Sequence, residues 1–232
     1  MNLEEVQAIL DNCEQALTSG GSIDLGQCGF WQAVNAVERQ PFWIPRFADR
    51  IAAIDRAAFD RAVRYRLPLR LGIAGLTTGA LVGLALAAAG AVARGRWRDL
   101  YFLAGTGALL VTTHDLAHFV VGRRFGIAFS EMFFGGKALI EPGLKIDYAT
   151  YLRAPPRERA WMQAAGAITT KGVAILAFLV ALTAGFSARV SSLLGGLALL
   201  AIVTDLFWST RYSDWRRFGR QLRLARRLER AG

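Results

Sequence analysis

The stretch "VTTHDLAHFVVGRRFG", residues 111–126, decides how this chain is read. It holds the only two histidines among 232 residues, His114 and His118, four positions apart, with no Lys or Arg until Arg123. Four residues make about one helical turn, so on a helix both imidazoles leave the same face. Asp115 stands directly after the first histidine. Polar groups in apolar surroundings are costly unless partnered, and inside a membrane span they mark function.

The neighbouring sequence places this stretch in a bilayer. Residues 71–93, "LGIAGLTTGALVGLALAAAGAVA", are 23 uncharged positions between Arg70 and Arg94. About 20 apolar residues cross the hydrocarbon core, so this segment predicts a transmembrane helix. Its Gly and Ala content suits close helix packing in lipid. A second span is expected over 100–122, around the histidines. A third covers 160–188, interrupted by Lys171, and a fourth 190–210, interrupted by Asp205. The expected fold class is an all-α integral membrane protein with about four transmembrane helices.

Charge is uneven along the chain. The net charge is +10, yet residues 1–60 carry four Lys/Arg against nine Asp/Glu. This acidic part predicts a cytoplasmic helical region over 1–66, broken at "TSGGS" and at the prolines of "QPFWIP", with apolar residues at three and four spacing. Residues 67–210 form the expected four-helix core. Residues 211–232 form a basic interfacial tail with eight arginines. Between spans two and three, "GIAFSEMFFGGKALIEPGLKIDYATYLRAPPRERA" is too polar to cross and too apolar for an ordinary loop. It predicts a re-entrant or interfacial segment with short strands around "KALIEPGLKIDY".

Four spans put both termini on one side, and the Lys/Arg bias puts that side in the cytoplasm. The expected location is a prokaryotic cytoplasmic membrane, with the N- and C-termini cytoplasmic. Arginines beside apolar segments favour lipid headgroups over nucleic acid as the partner of the basic surface. Cys13 and Cys28 lie in the acidic part with no further ligand nearby, which suits reduced thiols. No basic start with an apolar core marks a signal peptide within the first 60 residues. No glycine-rich phosphate loop precedes a helix, and two histidines are too few for a multi-histidine iron oxidase.

Depth relates the polar groups to one another. By helical rise, His118 lies roughly 7 Å inside Arg123 and His114 roughly 13 Å. Asp205 lies roughly 9 Å inside Arg211 by the same measure, and Lys171 falls near that level. Two imidazoles and a carboxylate supply three ligands to Zn2+ and leave a fourth position for water. Bound zinc brings that water's pKa toward neutrality, and Asp115 stands where a general base would act. The bland alternatives are neutral histidines bonded to neighbouring helices and a Lys171–Asp205 ion pair without metal.

These motifs resemble the site-2 protease family of intramembrane zinc metalloproteases. "HDLAHFVVGRRFG" is similar to that family's His-Glu-x-x-His run with its basic pair and "FG". "RERAWMQAAGAITTK" places Ala165 and Gly166 on the first two positions of Ala-Gly-Pro-x-x-Asn, Ala167 on the proline and Thr170 on the asparagine. "TDLFWSTRYSDW" offers Asp205 and Asp214 for the family's metal-binding aspartate, without its proline or following glycine. The resemblance covers about residues 100–210. It implies zinc held by His114, His118 and either Asp205 or Asp214, of which membrane depth favours Asp205. It also implies Asp115 as catalytic base, and Thr170 and Lys171 as substrate or oxyanion contacts. The implied partner is a transmembrane or membrane-proximal protein substrate, for which Phe129–Tyr148 offers a strand to pair with. Asp115 is one methylene shorter than the family's glutamate, about 1.3 Å less reach, and misplacement by about 1 Å costs on the order of a hundredfold in rate. A non-catalytic relative that binds metal and membrane partners is the alternative reading. Neither the substrate nor the oligomeric state is legible.

Overall fold

The computed structural model describes residues 1–19, 24–95, 97–135, 141–207 and 213–231; the side chains of Glu141, Asp205, Leu206, Phe207 and Ala231 lie outside the description. The chain is mostly helical. It divides into two compact units, one built from residues 1–69, 123–156 and 224–232, the other from 70–122 and 157–223.

The first unit begins with three helices, α1 (Leu3–Thr18), α2 (Phe30–Arg39) and α3 (Ile44–Ala62), the last preceded by a 3-10 turn at Pro41–Trp43. Asn2 starts α1 with a capping box: its side chain accepts from the Glu5 amide at 2.8 Å and its own amide donates to the Glu5 carboxylate at 3.1 Å. The spacing of Val6, Leu10, Cys13 and Leu17 gives α1 one apolar face. That face is buried, as are Phe30, Val34 and Val37 of α2 and Phe47, Ile51 and Ile54 of α3. Arg50 of α3 clamps α1 by donating from Nε and Nη2 to the two Glu14 oxygens, both at 2.7 Å.

The remainder of this unit is a small antiparallel sheet and a short helix. Strands β1 (Arg66–Pro68), β2 (Phe129–Gly135) and β3 (Glu141–Ile146) pair in that order, with Arg66 opposite Phe133 and Phe129 opposite Ile146. Strands were expected in the segment between spans two and three; β1 instead straddles the boundary between the expected helical region, 1–66, and the expected core, 67–210. Phe133 meets Phe59 of α3 edge-on at 5.1 Å, Glu131 pairs with Arg56, and Lys145 pairs with the buried Asp55. Asp147 then caps α6 (Tyr148–Arg153), accepting from the Thr150 amide at 2.8 Å.

The second unit holds the long helices α4 (Leu69–Val92), α5 (Trp97–Arg124), α7 (Pro156–Thr183) and α8 (Ala188–Phe207), and the start of α9 (Asp214–Ala231). Among the described residues, α4 and α7 are long and apolar enough to cross a membrane. The other two expected spans are also helices, but α5 carries the histidines and Asp115, and the apolar part of α8, Ala188–Thr204, is shorter. Helices α4 and α5 approach closely at glycines. A side chain on Gly105 would meet the backbone of Gly83 and Ala87, the close approach that small residues permit. Elsewhere Phe102 of α5 stacks on Phe186 at 4.3 Å within a cluster including Ala177, Ala181 and Leu194. Arg98 closes this end, donating to the Gly185 carbonyl at 3.1 Å with its guanidinium 4.2 Å from the Phe186 ring centre. Along α4, α7 and α8, Leu81, Leu84, Leu176, Leu182, Leu199 and Leu200 are exposed.

Candidate metal centre

The helix expected over the histidine segment forms as α5, and its i, i+4 geometry brings the two rings together. Their Nε2 atoms lie 3.2 Å apart and the ring planes cross at 78°. The third member is Asp214, the first residue of α9, whose Oδ2 lies 3.5 Å from His114 Nε2 and 3.3 Å from His118 Nε2. Among the described residues these three form a group able to hold a metal ion, with all ligand atoms within 4.8 Å of one another. A carboxylate at a helix N-terminus is favoured by the helix dipole.

The separations suit one ion. Ligand atoms about 2.05 Å from zinc at tetrahedral angles stand about 3.3 Å apart, and the observed edges are 3.2, 3.3 and 3.5 Å.

Proton bookkeeping agrees with the distances. His118 Nδ1 lies 2.7 Å from the Met162 carbonyl oxygen, which only accepts, so this nitrogen carries the proton. His114 Nδ1 lies 2.9 Å from Thr170 Oγ1, whose own hydroxyl donates to the Gly166 carbonyl at 3.0 Å, so His114 Nδ1 also donates. This assignment rests on the hydrogen-bond geometry. With both rings neutral, both Nε2 atoms present lone pairs toward each other and toward a carboxylate. One added proton satisfies two of the three atoms at a time; a divalent cation between them satisfies all three. The donor set, two imidazoles and one carboxylate with Nδ1–H oriented by outer partners, is one that divalent transition metals, zinc among them, accept.

The orienting groups come from one stripe of α7. Met162, Gly166 and Thr170 recur every four residues and so face α5 together. Gly166 is required by space: a Cβ there would stand 2.8 Å from His114 Cε1 and 2.7 Å from His118 Cδ2, and would also strike His118 Nε2. The bare backbone at Gly166 lets both rings lie against α7. Helix α9 is held to the same helix by Phe218, 5.6 Å from the Trp161 ring, and by Trp215, whose ring centre is 5.3 Å from Lys171 Nζ.

All the site residues named from the sequence except Asp205 have side chains among those described. His114 and His118 converge, with His118 the less exposed of the two. Asp115 is buried and makes no hydrogen bond or ion pair among the described residues. Thr170 bonds to His114 rather than standing open to a substrate, and Lys171 Nζ donates to the Ala167 carbonyl at 3.3 Å. Asp205 lies on α8 with its side chain outside the described residues, and Asp214 is the carboxylate seen with the histidines. Sequence reasoning did not identify Met162 and Gly166 as partners of the rings; their four-residue spacing with Thr170 was the available signal.

Comparison with known proteins finds no match: no family model, no curated protein and no solved structure is similar to this chain.

Proposed function

We propose that the chain is an integral membrane zinc metallopeptidase resembling site-2 proteases, acting on a transmembrane or membrane-proximal protein. The observation that carries this reading is the convergence of His114 Nε2, His118 Nε2 and Asp214 Oδ2 at the spacing of a zinc coordination shell. In this reading α4, α5, α7 and α8 all cross a prokaryotic cytoplasmic membrane with both termini cytoplasmic. Leucines exposed along α4, α7 and α8 support it, because a helix buried in a soluble core would cover them.

His114, His118 and Asp214 would hold the metal, which would supply a water nucleophile near neutral pH. Thr170 and the Met162 carbonyl fix the two rings with their lone pairs turned inward. Asp115, buried beside His114 without a competing bond, is the carboxylate left to take up and return a proton. Lys171, one residue beyond Thr170, supplies positive charge for an oxyanion.

The second reading, a non-catalytic metal-binding membrane protein, is favoured by one feature, the short Asp115. Two measurements decide between them. Metal analysis of purified protein is expected to give about one zinc per chain in the wild type, a stoichiometry lost in His114→Ala, His118→Ala and Asp214→Asn. Zinc far below stoichiometric in the wild type overturns the metal site altogether. Release of peptides from labelled casein in detergent is then expected from the wild type and from Asp115→Glu, and not from His118→Ala. Release by Asp115→Glu alone marks a weakened protease, and release by neither leaves the binding reading.

A further inference from the structure

Helix α9 carries a second surface that the metal centre does not use. Arg216, Arg220, Arg223, Arg227 and Arg230 succeed one another at intervals of four, three, four and three residues, and all five are exposed. At 3.6 residues per turn they fall within an arc of about 80° and run about 21 Å along the helix. The opposite face is the buried one, with Gln221 and Ala225 covered.

Such a stripe is unfavourable by itself. Each neighbouring pair is a like-charge i, i+3 or i, i+4 pair, and these repel. Among the described residues none of the five forms an ion pair with a carboxylate. The helix contains two acids, Asp214 and Glu229, and the first faces the histidines. All of its basic residues are arginines, whose planar fork binds phosphate in two-point fashion, where lysine offers a compact point charge.

The geometry points to an anionic phospholipid surface as the partner of this stripe: α9 lies along the membrane with its five guanidiniums on headgroup phosphates. The chain supplies the context, since α4 and α7 are apolar enough to cross a bilayer and the apolar part of α8 ends ten residues before α9 begins. Nucleic acid fits less well. Single strands are held by aromatic rings interleaved with the basic groups, whereas Trp215 and Phe218 lie off the stripe and pack on each other, Phe218 also on Trp161.

Each arginine at an anionic surface contributes about fivefold in affinity, and the effect fades with salt. The test is hydrogen exchange across α9 in the full-length protein, reconstituted into nanodiscs of phosphatidylcholine alone or mixed with phosphatidylglycerol. Exchange is expected to slow by about tenfold or more in the anionic discs, and the difference to shrink in high salt. Changing all five arginines to Gln is expected to remove the lipid dependence, and all five to Lys to retain part of it. If the five-Gln protein does not fold, R220Q/R223Q/R227Q and the salt dependence of the wild type carry the same test. Equal exchange in the two bilayers overturns the proposal, and so does a lipid preference that survives the Gln changes. Greater slowing by a short RNA in phosphatidylcholine discs than by phosphatidylglycerol also overturns it, in favour of a nucleic-acid surface. Chelating zinc is expected to leave the lipid dependence intact, so failure of the metal reading is separable from failure of this one.

Discussion

The two units treat their carboxylates in opposite ways. In the first, acids are engaged by strong bases: Glu14 by Arg50, Glu131 by Arg56, Asp55 by Lys145, Asp49 by Arg153. In the second, Asp214 faces two imidazoles whose other nitrogens are already committed to α7. A base neutralises an acid by direct contact and closes the account. Two lone pairs and a carboxylate aimed at one point instead require something to be bound. The contrast teaches where to look for function: in the group of polar atoms that a single proton satisfies only in part and a metal cation satisfies together. Burial sharpens the same contrast inside the first unit. Desolvation pushes the Asp55 carboxyl above its ordinary value despite Lys145 beside it, whereas the Arg50 guanidinium holds the half-exposed Glu14 below its own.

The largest expected effect lies in the first unit. Lys145→Met leaves Asp55 buried without its partner and is expected to cost about 3–5 kcal/mol in urea unfolding, with Lys145→Met/Asp55→Leu recovering most of it. A small loss in the single variant would mean that the pair is no more than a surface contact. Chelation comes next. Withdrawing zinc held at about a hundredfold its dissociation constant is expected to lower the stability of α5 and α7 by about 2.7 kcal/mol. Hydrogen exchange in α1–α3 should stay unchanged, and equal acceleration in both units would break the comparison between them.

Thr170→Val removes the acceptor that fixes the His114 ring and is expected to weaken zinc binding by about 10–100-fold, read by competition with a chromogenic chelator. Thr170→Ser should retain the affinity, which a merely space-filling role would not predict. The smallest effect belongs to Arg50→Ala, about 1 kcal/mol or less, because the pair is half-exposed. Its pH dependence is the sharper reading. The folded Glu14 pKa lies below the ordinary 4.5, so its contribution is present above pH 4.5 and is lost as pH falls through the lowered value. Wild type and variant should therefore converge in acid, as followed by urea melts of the first unit.

Helices were legible wherever the pattern was local. The apolar spacing of α1 and α3, the prolines at and just before the start of α3 and the uncharged run that fills most of α4 each mark an element without reference to the rest of the chain. The strand β1 was not legible: three residues, Arg66–Pro68, have no periodicity of their own and become a strand only through pairing with Met132 and its neighbours. The place of Asp214 was equally hidden. Depth counted along α8 marks Asp205, whose side chain lies outside the described residues; rise per residue within α8 says nothing of where α9 begins, and α9 begins with Asp214 beside the histidines.

The sequence by itself determined that His114 and His118 share a helical face, because 3.6 residues per turn leaves no alternative once the segment is helical. It also determined the arginine stripe of α9 by the same periodicity. Tertiary structure alone decided that Asp214 stands with the two histidines, that Thr170 and the Met162 carbonyl set the Nδ1 protons of both rings, and that Gly166 must lack a side chain. Those depend on contacts between helices far apart in the chain, where the outcome is set by packing and hydrogen bonding in three dimensions and not by the spacing of residues along one helix.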